Sequence, residues 1–332
     1  MNILYLIGNG FDVSLGMKTR YADFYDAYCA QAEENVNSKV CELKKIIESG
    51  KDNWADLEWA FGQYTTRLAN YQEFEEVYYN LSDALIDYLR REEKKVDPDR
   101  FSKEELLKYL VSPEIALTTA DQRLVGRGNP NFMNNIDLVT FNYTRTIERI
   151  LNWDANTPLR GRVAGTGVPW TFGQVLHVHG TLDEGATILL GVNDPTQIAN
   201  QVLAKNEEVT DILVKPYSNR VLKQEVDVKC KSFINRADII VLFGLSVGAT
   251  DAIWWKEIMG RLSTSSAILI IYHFDTKLAI APNRGQRLGA IERQVRQNFL
   301  RQAGSPDTES SMRERILVGV NSGMFGRVKK SS

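Results

Sequence analysis

The chain has 332 residues, of which 43% are hydrophobic and 25% are charged, and its formal net charge is −2. These values are ordinary for a globular protein, and the charge balance argues against nucleic acid or an anionic membrane surface as the partner. The three cysteines form no CxxC pair, no apolar run approaches the roughly 20 residues that span a bilayer, and the N-terminus lacks the features of a secretion signal. We therefore expect a cytoplasmic protein without a membrane span.

Short apolar runs that end in turn residues predict buried parallel strands. Two of the runs, 188–192 and 316–320, are weaker than the others. The five stronger runs lie at residues 3–7, 136–141, 175–178, 239–243 and 267–272. Parallel strands need crossover helices, so the predicted fold class is α/β with a doubly wound, mostly parallel sheet.

More than a hundred residues separate the first two strands, which is too many for a bare loop. Apolar residues recur at three- and four-residue spacing from Phe74 to Leu89, and Ser102 with Glu105 forms a capping box. A second helical stretch is predicted at about 196–236. The predicted organisation is a nucleotide-binding α/β domain at 1–16 and 131–325, a helical insertion at 17–130 that covers one side of the sheet, and a disordered tail at 326–332.

Four stretches place polar residues directly after a predicted strand, at the edge where open α/β sheets bind ligands. In the first, "GNGFD", Gly8 and Gly10 permit a sharp turn and a close approach to a ligand. This turn is either a phosphate-binding turn or a tight strand-to-helix turn with Asp12 as the N-cap. Two glycines alone do not decide between these interpretations.

The second stretch, "VTFNYTRTIE", places Asn142 after a strand and Thr144 where it could cap the following helix. The Asn142 amide can position a ribose hydroxyl or a water, or it can cap its own turn.

The third stretch, "LHVHG", contains two of the three histidines of the chain. His177 and His179 share one face of a strand, because side chains alternate along it. His179, at the strand end, is a candidate general base. The alternatives are a pair of hydrogen-bonded core histidines, or two ligands of a metal site completed by His273 or a carboxylate.

The fourth stretch, "FGLSVGATD", contains G-x-S-x-G from Gly244 to Gly248. This is the nucleophile-elbow pattern of hydrolases, with Ser246 as the nucleophile. The triad histidine would have to be His273, which lies in the very next strand, and no oxyanion-hole motif is evident, so an esterase is the weaker interpretation. The aromatic residues near Asp56 and Glu58, and the pair Trp254 and Trp255, are typical of packing, although the two carboxylates can line a pocket mouth.

Taken together, these stretches resemble a known family. "IGNGFDVSLGMKTRYADF", "WADLE", "LVTFNYTRTIE", "LHVHG" and "FGLSVGATD", in this order, resemble the AbiH family of bacterial phage abortive-infection proteins, over about residues 1–275. AbiH-like proteins are in turn distantly similar to the sirtuin-like nucleotide-binding fold.

The resemblance implies NAD or a related nucleotide as substrate or ligand, with His179 as the catalytic histidine and Asn142 positioning the ribose or a water. Gly8 and Gly10 would hold the diphosphate, and Gly244 with Ser246 would line the adenosine side. The candidate nucleotide-binding residues are these four glycine and serine positions together with their neighbours at the strand ends, namely Gly8, Asn9, Gly10, Phe11, Thr144, His177, Gly244, Ser246 and Asp251. The four-cysteine zinc module of deacylating sirtuins has no counterpart, and Asn9, Phe11 and Asp12 depart from the sirtuin turn.

The resulting hypothesis is a phage-defence protein that hydrolyses NAD at the nicotinamide–ribose bond. Such a reaction passes through an oxocarbenium-like state, which Asp12 could stabilise while His179 and Asn142 orient the attacking water. We expect no metal, a homo-oligomer and a phage-derived protein trigger. The alternatives are a non-catalytic nucleotide-sensing module that acts through a protein partner, and a metal-dependent nuclease or hydrolase built on Asp12, His177 and His179.

Overall fold

The computed structural model describes residues 1–31, 38–50, 56–125, 133–153, 159–163, 166–280, 286–306 and 310–323. Seven strands form one sheet, in the order β3-β4-β2-β1-β5-β6-β7. The strands are β1 (Asn2–Ile7), β2 (Asn134–Thr140), β3 (Arg160–Arg162), β4 (Pro169–His177), β5 (Ile239–Phe243), β6 (Ile268–His273) and β7 (Ile316–Val320). Every pairing is parallel except that of β3 with β4, so the prediction of an α/β fold with a mostly parallel sheet is confirmed.

Helices lie on both faces of the sheet and beyond one of its ends. The N-terminal helices are α1 (Gly10–Ser14), α2 (Tyr21–Cys29), α3 (Lys39–Ser49), α4 (Leu57–Tyr64), α5 (Tyr71–Lys94), α6 (Lys103–Val111) and α7 (Thr119–Val125). The later ones are α8 (Thr146–Leu151), α9 (Glu207–Leu213), α10 (Lys215–Val221), α11 (Val226–Arg236), α12 (Ala252–Thr264), α13 (Thr276–Ile280), α14 (Leu288–Gln302) and α15 (Ser310–Arg313). None of the described helices has the length and apolar character needed to cross a membrane.

The central strand β1 separates two cores, because its successive side chains point to opposite faces. Tyr5 and its neighbours on one face pack with residues of α6 and α8. Leu4 and Leu6 on the other face pack with residues of α11, α12 and α14. All of these strand residues are buried, as the continuous apolar run of β1 predicts.

The predicted insertion contributes to two different cores. Helices α2 to α5 share a third core with residues of the segment 182–214. Helix α6, whose N-cap Ser102 accepts a hydrogen bond from the Glu105 amide as predicted, packs instead on the sheet. The boundaries at 17 and 130 stay a prediction, since residue 130 and the predicted tail 326–332 lie outside the described residues.

One prediction of a strand is wrong, and another finds only part of its strand. Residues 188–192 form no strand, and in the described structure Val192 makes only an isolated bridge to Val214. Their apolar side chains are buried because they fill the core of α2 to α5. The strand predicted at 175–178 is instead the last part of β4, which begins at Pro169 and carries the short antiparallel strand β3 at its edge.

Candidate functional site

A cavity of about 990 Å³ lies at the carboxyl ends of the parallel strands. The register aligns Ile7 of β1 with Thr140 of β2 and with Phe243 of β5, and Thr140 with His177 of β4. The turns that follow these four strands therefore meet at one edge. Residues of α5 close the opposite side, including Leu85 and Leu89. The volume of the cavity suits a nucleotide-sized ligand.

The glycines of the first and fourth stretches hold two turns together. The Gly10 amide donates to the Gly244 carbonyl at 2.8 Å, and the Gly8 amide donates to the Phe243 carbonyl at 2.8 Å. A Cβ atom on Gly10 would lie 2.5 Å from the Gly244 Cα, and Gly244 itself has a φ of +69°. The backbone amides of Gly8 and Gly10 are thus committed to the protein, and the glycines are required by the contact between the β1 and β5 turns.

Asp12 is the acid of the "GNGFD" turn, and its side chain lines the cavity. It lies inside α1, whose N-cap is Asn9, so the alternative in which Asp12 caps the helix is wrong. Its Oδ2 accepts a hydrogen bond from the Thr144 hydroxyl at 2.6 Å, while Oδ1 is buried without a partner. Burial raises the pKa of this carboxyl from 3.8 to about 6, despite the opposing hydrogen bond from Thr144.

The neighbours of Asp12 have structural roles. The Asn9 side chain lines the cavity, but its amide donates to the Thr19 carbonyl at 2.7 Å and its oxygen accepts from the Thr19 hydroxyl at 2.5 Å. Phe11 is buried and packs edge-on against Phe243, with 5.9 Å between ring centroids. The structure therefore does not bring the Phe11 side chain into the cavity.

The turn after β2 brings Asn142 and Thr144 into the cavity lining. Both residues are buried, and the backbone N–H of Asn142 donates a hydrogen bond to the Thr140 hydroxyl. The prediction that Thr144 caps α8 is wrong, because the helix begins at Thr146 and the Thr144 hydroxyl is used by Asp12.

His179 lies in the turn that follows β4, so it does not share a strand face with His177 as predicted, and it is buried at the inner wall of the cavity. Its ring packs edge-on against Phe141, which in turn stacks on Trp255. Nε2 lies 3.2 Å from Asp251 Oδ1, without the alignment of a hydrogen bond. This His–Asp pair is an arrangement that can accept and hold a proton.

Asp251 is also paired with a buried lysine. The Lys215 ammonium lies 3.1 Å from Asp251 Oδ1 and 2.7 Å from Glu58 Oε2. Burial alone would raise the pKa of Asp251, but the charge of the Lys215 ammonium outweighs it and holds that pKa well below its usual range. The same two carboxylates raise the pKa of Lys215 against the effect of burial, and burial raises the pKa of Glu58.

His177 does not join His179. Its Nδ1 lies 3.1 Å from the Asn142 carbonyl oxygen, and its Nε2 lies 2.7 Å from Glu148 Oε1. The ring therefore faces α8, because the two turns after β2 and β4 close over it. His177 supports the Asn142 turn from outside the cavity.

Ser246 lines the cavity and is exposed. In a nucleophile elbow a helix follows the strained serine directly. Here the positive φ falls on Val247, at +52°, and α12 begins only at Ala252. The hydroxyl makes no hydrogen bond to a histidine in the described structure, so the esterase interpretation receives no support.

The metal-site alternative also receives no support from the side-chain positions. Among the described residues no three His, Cys, Asp or Glu side chains are grouped as metal ligands. His177 faces Glu148, whereas Asp12 and His179 line the cavity.

Sequence reasoning missed two basic residues of the site. Lys215 sits at the start of a short helix, where no local pattern separates a buried lysine from an exposed one. Arg20 is exposed, lines the cavity and is the one cationic side chain among its described lining residues. It lies in the quoted stretch "GMKTRYADF", which was the available signal. Glu58 and Asp56 do line the cavity.

Comparison with known proteins adds one match. A family model described as "Bacteriophage abortive infection AbiH" matches residues 4–273, which include the turns after β1, β2, β4 and β5. A search of curated proteins finds no match.

Proposed function

The chain belongs to the AbiH family of phage abortive-infection proteins, and on that premise we propose that it hydrolyses NAD at the nicotinamide–ribose bond. Abortive infection stops phage by disabling the infected cell, and loss of NAD would have that effect. The distant similarity of AbiH-like proteins to the sirtuin-like fold belongs to this proposal.

The observation that carries the proposal is the Asp12 carboxylate. Its Oδ1 is buried, accepts no well-aligned hydrogen bond from the protein and belongs to a residue that lines the cavity. A buried polar atom without a partner costs free energy, so a ligand group that uses it would recover that cost. Cleavage of the bond between nicotinamide and ribose leaves positive charge on the ribose, and a desolvated carboxylate stabilises such a charge strongly.

The second part of the reaction is the attack of water. The bonding electrons leave with nicotinamide as it becomes neutral, and water forms the new bond to the anomeric carbon. His179 accepts the proton that the water loses. Because Nε2 faces Asp251, Nδ1 is the ring nitrogen that is left for this task. Asn142 would orient the water or a ribose hydroxyl.

The remaining lining residues suit the other parts of NAD. The exposed Arg20 guanidinium can pair with the diphosphate, and the described structure provides no acceptor for the amides of Ser246 and Gly248. Leu85, Leu89 and Tyr143 offer an apolar wall for a planar ring. A homo-oligomer and a phage-derived protein trigger are further parts of the proposal.

The direct test is incubation of the purified full-length chain with NAD, following nicotinamide and ADP-ribose by chromatography, with and without phage lysate. We expect nicotinamide release by the wild type and its loss in His179→Ala. His273→Ala is the matched control, because His273 does not line the cavity and should keep the wild-type rate.

No release by the wild type under either condition would refute NAD hydrolysis. Binding of NAD without release would favour the non-catalytic nucleotide-sensing function instead. Loss of activity on treatment with a chelator would favour the metal-dependent alternative.

A further inference from the structure

We propose that Lys215 is a positioning residue of this site, whose ammonium lies against the same Asp251 oxygen that faces His179 and so weakens the pull of that carboxylate on the imidazole. The role in proton transfer rests on the proposed function. The electrostatic part concerns the folded chain alone and can be tested without turnover.

One carboxylate oxygen is shared by the lysine and the histidine. Asp251 Oδ1 lies 3.1 Å from Lys215 Nζ and 3.2 Å from His179 Nε2. An isolated carboxylate at that distance would stabilise the imidazolium form of a histidine. The lysine positive charge on the same oxygen offsets this effect, since all three groups are buried or nearly so and water screens them little.

Lys215 is held in place by both its side chain and its backbone. Besides Asp251, its ammonium contacts Glu58 Oε2, and Glu58 Oε1 accepts a hydrogen bond from the Gly191 backbone amide. At the other end, the Lys215 backbone amide donates to the Val192 carbonyl at 2.9 Å. Four segments of the chain are thus tied together: α4, the 191–192 segment, the start of α10 and the loop before α12.

Lys215 acts through Asp251 and not on substrate. Its side chain is buried and is not among the residues that line the cavity. The other titratable groups that face His179 are Asp251, Glu58 and Tyr143; Asp251 and Glu58 bear on its charge, and the Tyr143 ring lies 6.2 Å from the imidazole. Lys215 is the one cation among these described neighbours.

The test is NMR titration of the histidine Cε1–H signals in the full-length chain, which has only three histidines. His179→Gln assigns the relevant signal. Lys215→Met removes the charge at similar length, and we expect the His179 titration midpoint to rise by about one pH unit or more. Lys44→Met is the matched control, because Lys44 is also buried but donates to the Gln31 carbonyl in another core.

Glu58→Gln provides a change of the opposite sign. It removes a negative charge near His179, and Asp251 remains the one carboxylate paired with the Lys215 ammonium among its described partners. The titration midpoint of His179 should therefore fall. This variant also keeps the proposal testable if Lys215→Met does not fold. In active protein, the acid limb of the kcat profile should move with the midpoint in each variant, while KM at high pH changes little in Lys215→Met, since Lys215 does not line the cavity.

A midpoint that stays in place or falls in folded Lys215→Met would overturn the proposal, as would a midpoint that stays or rises in Glu58→Gln. If the midpoints shift as expected and the wild type releases no nicotinamide, the positioning role stands and NAD hydrolysis fails. The two proposals are therefore separated by the same set of proteins.

Discussion

Two aspartates that line the cavity, the buried Asp12 and the largely buried Asp251, have opposite surroundings. Asp12, on the β1 side, has a threonine hydroxyl beside it and no cation among its described hydrogen-bond partners. Asp251, on the β5 side, shares one oxygen between a lysine and a histidine. Burial raises the pKa of Asp12 to about 6, whereas the charge of Lys215 reverses that effect at Asp251.

The difference shows that a charged partner decides what a buried carboxyl can do. The negative charge of Asp251 is neutralised by the Lys215 ammonium within the protein. Asp12 is not compensated, so its charge costs stability and is available to a cationic ligand or transition state. We therefore expect the two sides of the cavity to respond differently to substitution, and the following experiments test that difference, from the largest expected effect to the smallest.

Replacing Asp12 should separate activity from stability. We expect Asp12→Asn to lower nicotinamide release by about 10²- to 10³-fold, the loss typical of a group that stabilises charge in a transition state. The same variant should be more stable than the wild type at pH 7.5, by up to about 3 kcal/mol, because the folded-state pKa of about 6 exceeds the unfolded value of 3.8.

The pH dependence gives the sign of this effect. An acid with a raised folded-state pKa lowers the free energy of unfolding as pH rises from about 4 to about 6, so the advantage of Asp12→Asn should vanish near pH 4. Denaturant unfolding at pH 4 and 7.5, with a rate assay, measures both quantities. Equal stability of the two proteins at every pH would show that the Asp12 charge is not costly.

The two histidines of "LHVHG" should behave differently. His179→Gln should reduce turnover by more than about 100-fold, within the range for loss of a general base. His177→Gln should cost about 1–3 kcal/mol of stability, because Glu148 loses a buried partner. Its turnover should fall less than about tenfold, because the ring faces away from the cavity. Equal losses of turnover in both variants would contradict the separation.

The glycine contact between the β1 and β5 turns should not tolerate a methyl group. Gly10→Ala would place a Cβ atom 2.5 Å from the Gly244 Cα, and we expect the free energy of unfolding to fall by about 1–3 kcal/mol. Gly260→Ala, in α12, is the matched control, because nothing lies within 4 Å of its Cβ, and it should gain about 0.5–1 kcal/mol. Similar unfolding midpoints for the two variants would contradict the contact.

Ser246→Ala should have the smallest effect. The hydroxyl is exposed and is not placed as a nucleophile, so kcat should change by less than about 0.5 kcal/mol in activation free energy. A loss of kcat by orders of magnitude, measured against the same NAD assay, would restore the hydrolase interpretation of G-x-S-x-G.

The sheet could be predicted because its strands are continuous apolar runs. The runs of β1, β2, β5 and β6 are buried on both faces, which leaves a clear local pattern, and the weaker run 316–320 forms β7. The run 188–192 has the same pattern but is buried in a helical core, and a short apolar segment does not reveal which neighbours bury it. Strand β3 consists of Arg-Gly-Arg and has no hydrophobic signal.

The site was predictable in its location and less so in its contacts. Polar residues after four strands indicated one edge, and His179, Asn142 and Asp12 do line one cavity. The partners could not be predicted, because Thr144 meets Asp12 from 132 residues away and Lys215 meets Glu58 from 157 residues away. The glycines were interpreted as ligand contacts, and the structure uses them to join two turns.

The strand order has a consequence for synthesis of the protein. The central strand β1 spans Asn2–Ile7, but its neighbour β5 begins only at residue 239, and Asp251 follows β5. Domains fold as units while the ribosome delivers the chain. A nascent or truncated chain that ends before residue 251 therefore lacks one wall of the cavity. If the proposed activity harms the cell, we expect chains that end before residue 251 to be inactive, because they lack Asp251 from the site.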